Sequence, residues 1–101
     1  MKLRKIKNIT IGSVKFNVIW DKKTSGGSFN YGKKEIMIGL KLGDLYAFSI
    51  LIHELKEIIQ VEQSTRFERR DEYDNYYFFY DHAQHTDICC RLGTLLDNFI
   101  V

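Results

Sequence analysis

Proline is absent from this chain. Nothing therefore interrupts a strand or a helix for want of an amide N–H. Cysteine is nearly absent: only Cys89 and Cys90 occur, side by side. Disulfide geometry sets the two Cα atoms further apart than one peptide link allows, so these two do not bridge. A disulfide framework is excluded, and a reducing, cytoplasmic setting is expected. A Cys-rich zinc site is excluded too, because no second cysteine pair exists. No apolar run reaches the ~18 residues that a membrane-spanning helix needs. The basic opening MKLRKIKNITIG lacks an apolar stretch and a small-residue cleavage site, so no signal peptide is expected.

What is present describes a globular domain. Apolar residues are 45% and charged residues 28%, which argues against wholesale disorder. A chain of 101 residues suits one domain with a modest core and no large enclosed active site. The net charge of +2 is unevenly spread. Residues 1–20 carry five basic groups (Lys2, Arg4, Lys5, Lys7, Lys15) and no acid. A nucleic-acid binder usually gathers more positive charge on one face than this. A basic, solubilising first strand is the simpler reading.

The pattern predicts an α+β fold with a β half and an α half. Residues 1–40 read as mainly β. Ile9 and Ile11 precede Gly12-Ser13, and Val14, Phe16, Val18 and Trp20 then alternate. That is a hairpin whose second strand is half-buried. DKKTSGGS reads as a loop, and the stretch from Ser28 to Leu40 holds a strand centred on Glu35–Ile38. A small antiparallel sheet is expected. Asp44 is a candidate N-cap for a helix over 44–62. Its apolar positions, Leu45, Phe48, Leu51, Ile52, Leu55, Ile58 and Ile59, recur at helical spacing. Residues 63–81 read as a polar turn followed by the aromatic strand YYFFY at 76–80. Asp81 or Thr86 caps a final helix over 82–99, with a buried stripe of Ile88, Leu92, Leu95, Leu96 and Phe99.

Two patterns resemble sites without the right context. Gly27 to Lys33 imitates a phosphate-binding loop, but Lys34 stands where Ser or Thr must hold magnesium. A strand-like segment also follows it where a helix is required. The aromatic run beside Arg66, Arg69 and Arg70 suggests base stacking. Glu68, Asp71, Glu72 and Asp74 outnumber those arginines, and a packed sheet edge explains the rings more simply.

One constellation carries chemistry. The first helix bears His53-Glu54-Leu55-Lys56-Glu57. Positions i and i+4 share a helix face, so His53 and Glu57 offer an imidazole and a carboxylate one turn apart. That is the bite of a divalent metal. Glu54, one step round, is placed to take a proton from an activated water. His53 lies between Ile52 and Leu55, where an unpaired imidazole would be costly. The other histidines, His82 and His85, are spaced i, i+3 at the entry to the last helix. His85 leads the apolar stripe and is expected to face the first helix.

At these residues the chain resembles a minimal zincin metallopeptidase, in particular the small phage- and prophage-associated members of that kind. Tyr31 to Ile59 carries most of the likeness, through EIMIGL and LIHELKEII. The resemblance implies a zinc ion (or another divalent metal) on His53, with Glu54 as catalytic base. It puts Glu57 in the place of the usual second histidine and the third ligand on His85 or His82. It implies a peptide or protein substrate, bound by strand addition along Glu35–Ile38. Tyr76, Tyr77 and Tyr80 are candidate donors to the oxyanion, and spacing does not choose among them. Glu57 makes the site harder and more anionic than the family pattern, and no insert supplies a separate substrate-binding subdomain. The rival readings are a non-catalytic protein-interaction module, with or without metal, and a nucleic-acid-associated protein.

Overall fold

The computed structural model describes residues 1–69 and 75–101. Residues 70–74, the centre of the predicted turn, lie outside the described residues. The fold is α+β, with elements in the order β1 (Asn8–Ile11), β2 (Val14–Asp21), β3 (Gly27–Asn30), β4 (Glu35–Gly39), α1 (Asp44–Glu62), β5 (Arg66–Glu68), β6 (Tyr76–Phe78) and α2 (His82–Asp97). No helix among the described residues is long and apolar enough to cross a membrane.

The first hairpin forms as its pattern predicts. Gly12 takes φ 62 in the two-residue turn, a left-handed value that glycine adopts without strain. Ile9 then pairs with Phe16 across the strands. The stretch 27–39 holds two strands where one was predicted. β3 runs antiparallel to β4, and Lys34 closes the turn between them at φ 56. The sheet order is β1-β2-β4-β3, with β2 and β4 parallel. The sheet is therefore mixed rather than antiparallel. Composition explains the order. EIMIG has fully buried Ile36 and Ile38 and takes the interior, whereas polar GSFN is left at the edge.

Helix α1 covers one face of this sheet. Ile11, Phe16, Ile36 and Ile38 from the sheet meet Leu51, Leu55, Ile58 and Ile59 in one core cluster, all at 0–1% exposure. The predicted stripe on α1 is shifted at its start: Leu45 is exposed and Ala47 is buried. Close approach sets the helix position. A Cβ at Gly27 would run into Ile50 of α1 and stand 3.4 Å from Glu54 Cγ. Only glycine lets the edge strand lie against the helix at the Glu54 level.

Asp44 does not cap α1. Gly43 holds the N-cap position without a side-chain bond. The Asp44 carboxylate instead accepts from Leu3 N at 2.7 Å and Lys5 Nζ at 2.6 Å. It thus ties the first residues of the chain to the helix start. The Lys5 ammonium, then the Leu3 amide, hold this carboxyl below its ordinary range. A depressed folded-state pKa contributes stability above the unfolded value of about 4, and the contribution fades as pH falls through the folded value. Asp44→Asn should therefore be less stable than the parent at pH 7 by about 1 kcal/mol. In urea unfolding from pH 7 down to pH 2, that gap should close at the acid end. A gap that is constant with pH would show that the charge plays no part.

Helix α2 opens on the predicted Asp81 cap. Gln84 N donates to Asp81 Oδ1 at 2.8 Å, and Asp81 N donates to Gln84 Oε1 at 2.9 Å. Ile88 and Phe99 are buried, with Leu92, Leu95 and Leu96 packed against the core. The aromatic run does not form a packed sheet edge. β5 and β6 make a separate two-stranded hairpin, and Phe67, Tyr77, Phe78, Phe79 and Tyr80 are all exposed.

Candidate metal centre

The middle of α1, the edge strand β3 and the β5–β6 hairpin enclose an open groove of about 700 Å³. His53, Glu54 and Glu57 lie on its helical wall, Gly27 to Tyr31 on its strand wall, and Arg66, Asn75, Tyr76 and Phe78 on the hairpin wall. The shift of 100° per residue along a helix separates the three α1 side chains. Glu54 lies three residues after Leu51 and four before Ile58, so it points with the core stripe and is 5% exposed. His53 points away from the core, and its side chain is 67% exposed. The expected burial is thus reversed: the imidazole meets solvent and the carboxylate is enclosed. The phase of Leu51 and Ile58 is the sequence signal that places Glu54 there.

The three groups converge. His53 Nδ1 lies 3.2 Å from Glu54 Oε1 and 3.3 Å from Glu57 Oε2. One ligating atom from each residue falls within 4.8 Å of the others. A tetrahedral zinc with bonds of ~2.05 Å sets its ligand atoms ~3.3 Å apart. The two spacings to Nδ1 are close to that edge and are also those of a hydrogen-bonded imidazole; one nitrogen with two carboxylate oxygens is a donor set that could hold a divalent ion. Burial pushes the Glu54 carboxyl above its ordinary range, and Glu57 adds to this; the His53 hydrogen bond, the His53 charge and Arg66 oppose it.

Tertiary packing does not bring His82 and His85 to this cluster. Both are exposed, and neither joins the metal-capable group found among the described residues. The reason lies in how α2 docks. Gln63 Nε2 donates to Asp87 Oδ2 at 2.7 Å, and Arg91 reaches Glu62 at 2.6 Å. The early turns of α2 thus meet the far end of α1, roughly 15 Å of helical rise beyond His53. Tyr80 lines a small pocket with His53 and Glu57. The His85 ring stacks on Tyr80, with centroids 6.0 Å apart and planes 10° apart. Tyr80, and not His85, is the residue of this segment that lines a pocket with His53.

The other expectations resolve by register. β4 pairs on both sides, so Glu35–Ile38 offers no free edge to a peptide; the open edge beside the cluster belongs to β3. In the hairpin, Arg66 pairs with Phe78 and Glu68 with Tyr76, while Phe67 pairs with Tyr77. Alternation sends Arg66, Tyr76 and Phe78 to the groove and Phe67 and Tyr77 to the outside. Of the three tyrosines, Tyr76 lines the main groove, Tyr80 lines the small pocket, and Tyr77 lines neither.

Arg66 is the site residue that sequence reasoning missed. Its Nε lies 3.4 Å from Glu57 Oε1, and its guanidinium sits 3.5 Å above the Tyr76 ring and 5.3 Å from that of Phe29. No local pattern signals this, because it depends on how the hairpin folds back over α1. Comparison with protein-family models, with characterised proteins and with solved structures finds no match.

Proposed function

We propose that this protein is a metal-dependent hydrolase of the minimal zincin type, acting on peptides. The observation that carries the reading is the convergence of His53, Glu54 and Glu57 within 4.8 Å, on the wall of a groove edged by an open strand. In this reading His53 and Glu57 would hold zinc or another divalent ion, and Glu54, the third member of the cluster, would stay off it as the base. When bound, the ion supplies Lewis-acid activation of water and of a substrate carbonyl. Glu54 takes the proton of the attacking water and returns it to the leaving amine. Its burial supports that role, because a carboxyl held above its ordinary range takes up a proton more readily. The backbone of β3 receives an extended peptide on its free edge. Tyr76 lies within the same groove as a hydroxyl donor.

A second reading has its own support. Arg66 and His53 already face the two carboxylates, so each carboxylate has a partner without any ion. The protein would then be an interaction module with a structural ion-pair network.

Zinc titration of chelator-stripped protein separates the two. The parent should bind one equivalent, and His53→Ala should weaken binding by at least the roughly 10–100-fold seen for loss of a supporting group. His53 is mostly exposed, so its removal should leave the fold intact. No zinc uptake by the parent, with no thermal shift, would remove the hydrolase reading and favour the module.

A further inference from the structure

We propose that Arg66 is the specificity-determining residue of this groove and binds a carboxylate of the peptide ligand. The inference rests on the hydrolase reading above. Three observations carry it. The guanidinium is held in place by the Tyr76 ring beneath it and the Phe29 ring at its side. That removes the rotamer freedom a long side chain loses on binding, so the group is preorganised. Its Nε is enclosed, faces Glu57 at 3.4 Å and makes no hydrogen bond. Among the described residues its terminal amino groups have no acceptor either, which leaves a planar, two-pronged donor at the groove wall. Such a fork matches a carboxylate in a bidentate pair.

Charge sets how strongly the fork binds. With the site empty, Glu54 and Glu57 lie beside Arg66 and weaken its hold on an anion. A divalent ion offsets their charge, so the loaded groove binds an anion more tightly. Carboxylate binding and metal binding then strengthen each other by the same factor. The carboxylate comes either from the peptide C-terminus or from an acidic side chain. The first makes the protein select chain ends, the second acidic sequence.

The test uses zinc-loaded and chelator-stripped protein with three otherwise identical peptides. One ends in a free carboxylate, one in an amide, and one is amidated with an internal Glu. Binding is read by fluorescence anisotropy, and zinc binding by competition with a chromophoric chelator on the same samples. The loaded parent should prefer a carboxylate peptide by about tenfold. Preference for the first peptide identifies the C-terminus, and preference for the third identifies the acidic side chain. Arg66→Gln should abolish the preference, and Arg66→Lys should retain part of it, since an ammonium keeps the charge and loses the fork. The lysine variant serves if the glutamine variant does not fold. Equal binding of all three peptides by zinc-loaded parent would overturn the assignment of Arg66. If zinc does not bind, the hydrolase reading fails. A preference in stripped protein that Arg66→Gln removes would then uphold the assignment on its own, and its absence would overturn it.

Discussion

Glu54→Gln should lower peptide turnover by roughly 10²–10⁴-fold, the usual contribution of a general base, while leaving the fold intact. The same change should leave stability equal or raise it in metal-free protein. Glu54 is buried at the groove wall, and its environment disfavours the charged form on balance. A neutral isostere removes that unfavourable burial while keeping the volume. Lost activity together with retained or increased stability is the signature of a strained functional group. Zinc titration of this variant sharpens the assignment. Unchanged zinc affinity keeps Glu54 as the base. A large loss of affinity would make it a ligand, which the 3.2 Å approach to His53 Nδ1 also allows. A marked fall in melting temperature with unchanged turnover would refute both roles.

Phe99→Ala should be the most destabilising single change near the chain ends, at about 3–5 kcal/mol. Phe99 is fully buried beyond the end of α2, and its ring meets Trp20 edge to face at 6.0 Å. Its carbonyl accepts from Arg4 N at 2.8 Å, beside the bridge between Leu3 and Ile100. The ring therefore fastens this end of the chain to the sheet, and the backbone beside it holds the first residues. A domain of this size has only about 5–15 kcal/mol in all. The melting temperature should fall by on the order of 15–30 °C. Val101→Ala, at a largely exposed position, should change stability by less than about 0.5 kcal/mol. A Phe99 variant within 1 kcal/mol of the parent would show that the two ends are held by something else.

Local periodicity made the first hairpin, α1, the Asp81 cap and the apolar stripe of α2 legible, because each depends on residues a few positions apart. The same periodicity brought His53 and Glu57 to one side of a helix. It also held the phase that buries Glu54 and exposes His53, although the run of apolar neighbours suggested the reverse. Two features of the sheet were not legible. Parallel pairing of β2 with β4 depends on which of several short strands takes the interior, and burial on both sides decides that. The free edge at β3 follows from the same choice. Arg66 and Tyr80 reach the site through the return of the hairpin over α1, a contact between segments with no shared pattern. The distance of His85 from the cluster was equally hidden. The spacing of a stripe says which side of α2 is apolar. Where along α1 that side docks is set by Gln63, Asp87, Glu62 and Arg91, and therefore by packing between the two helices.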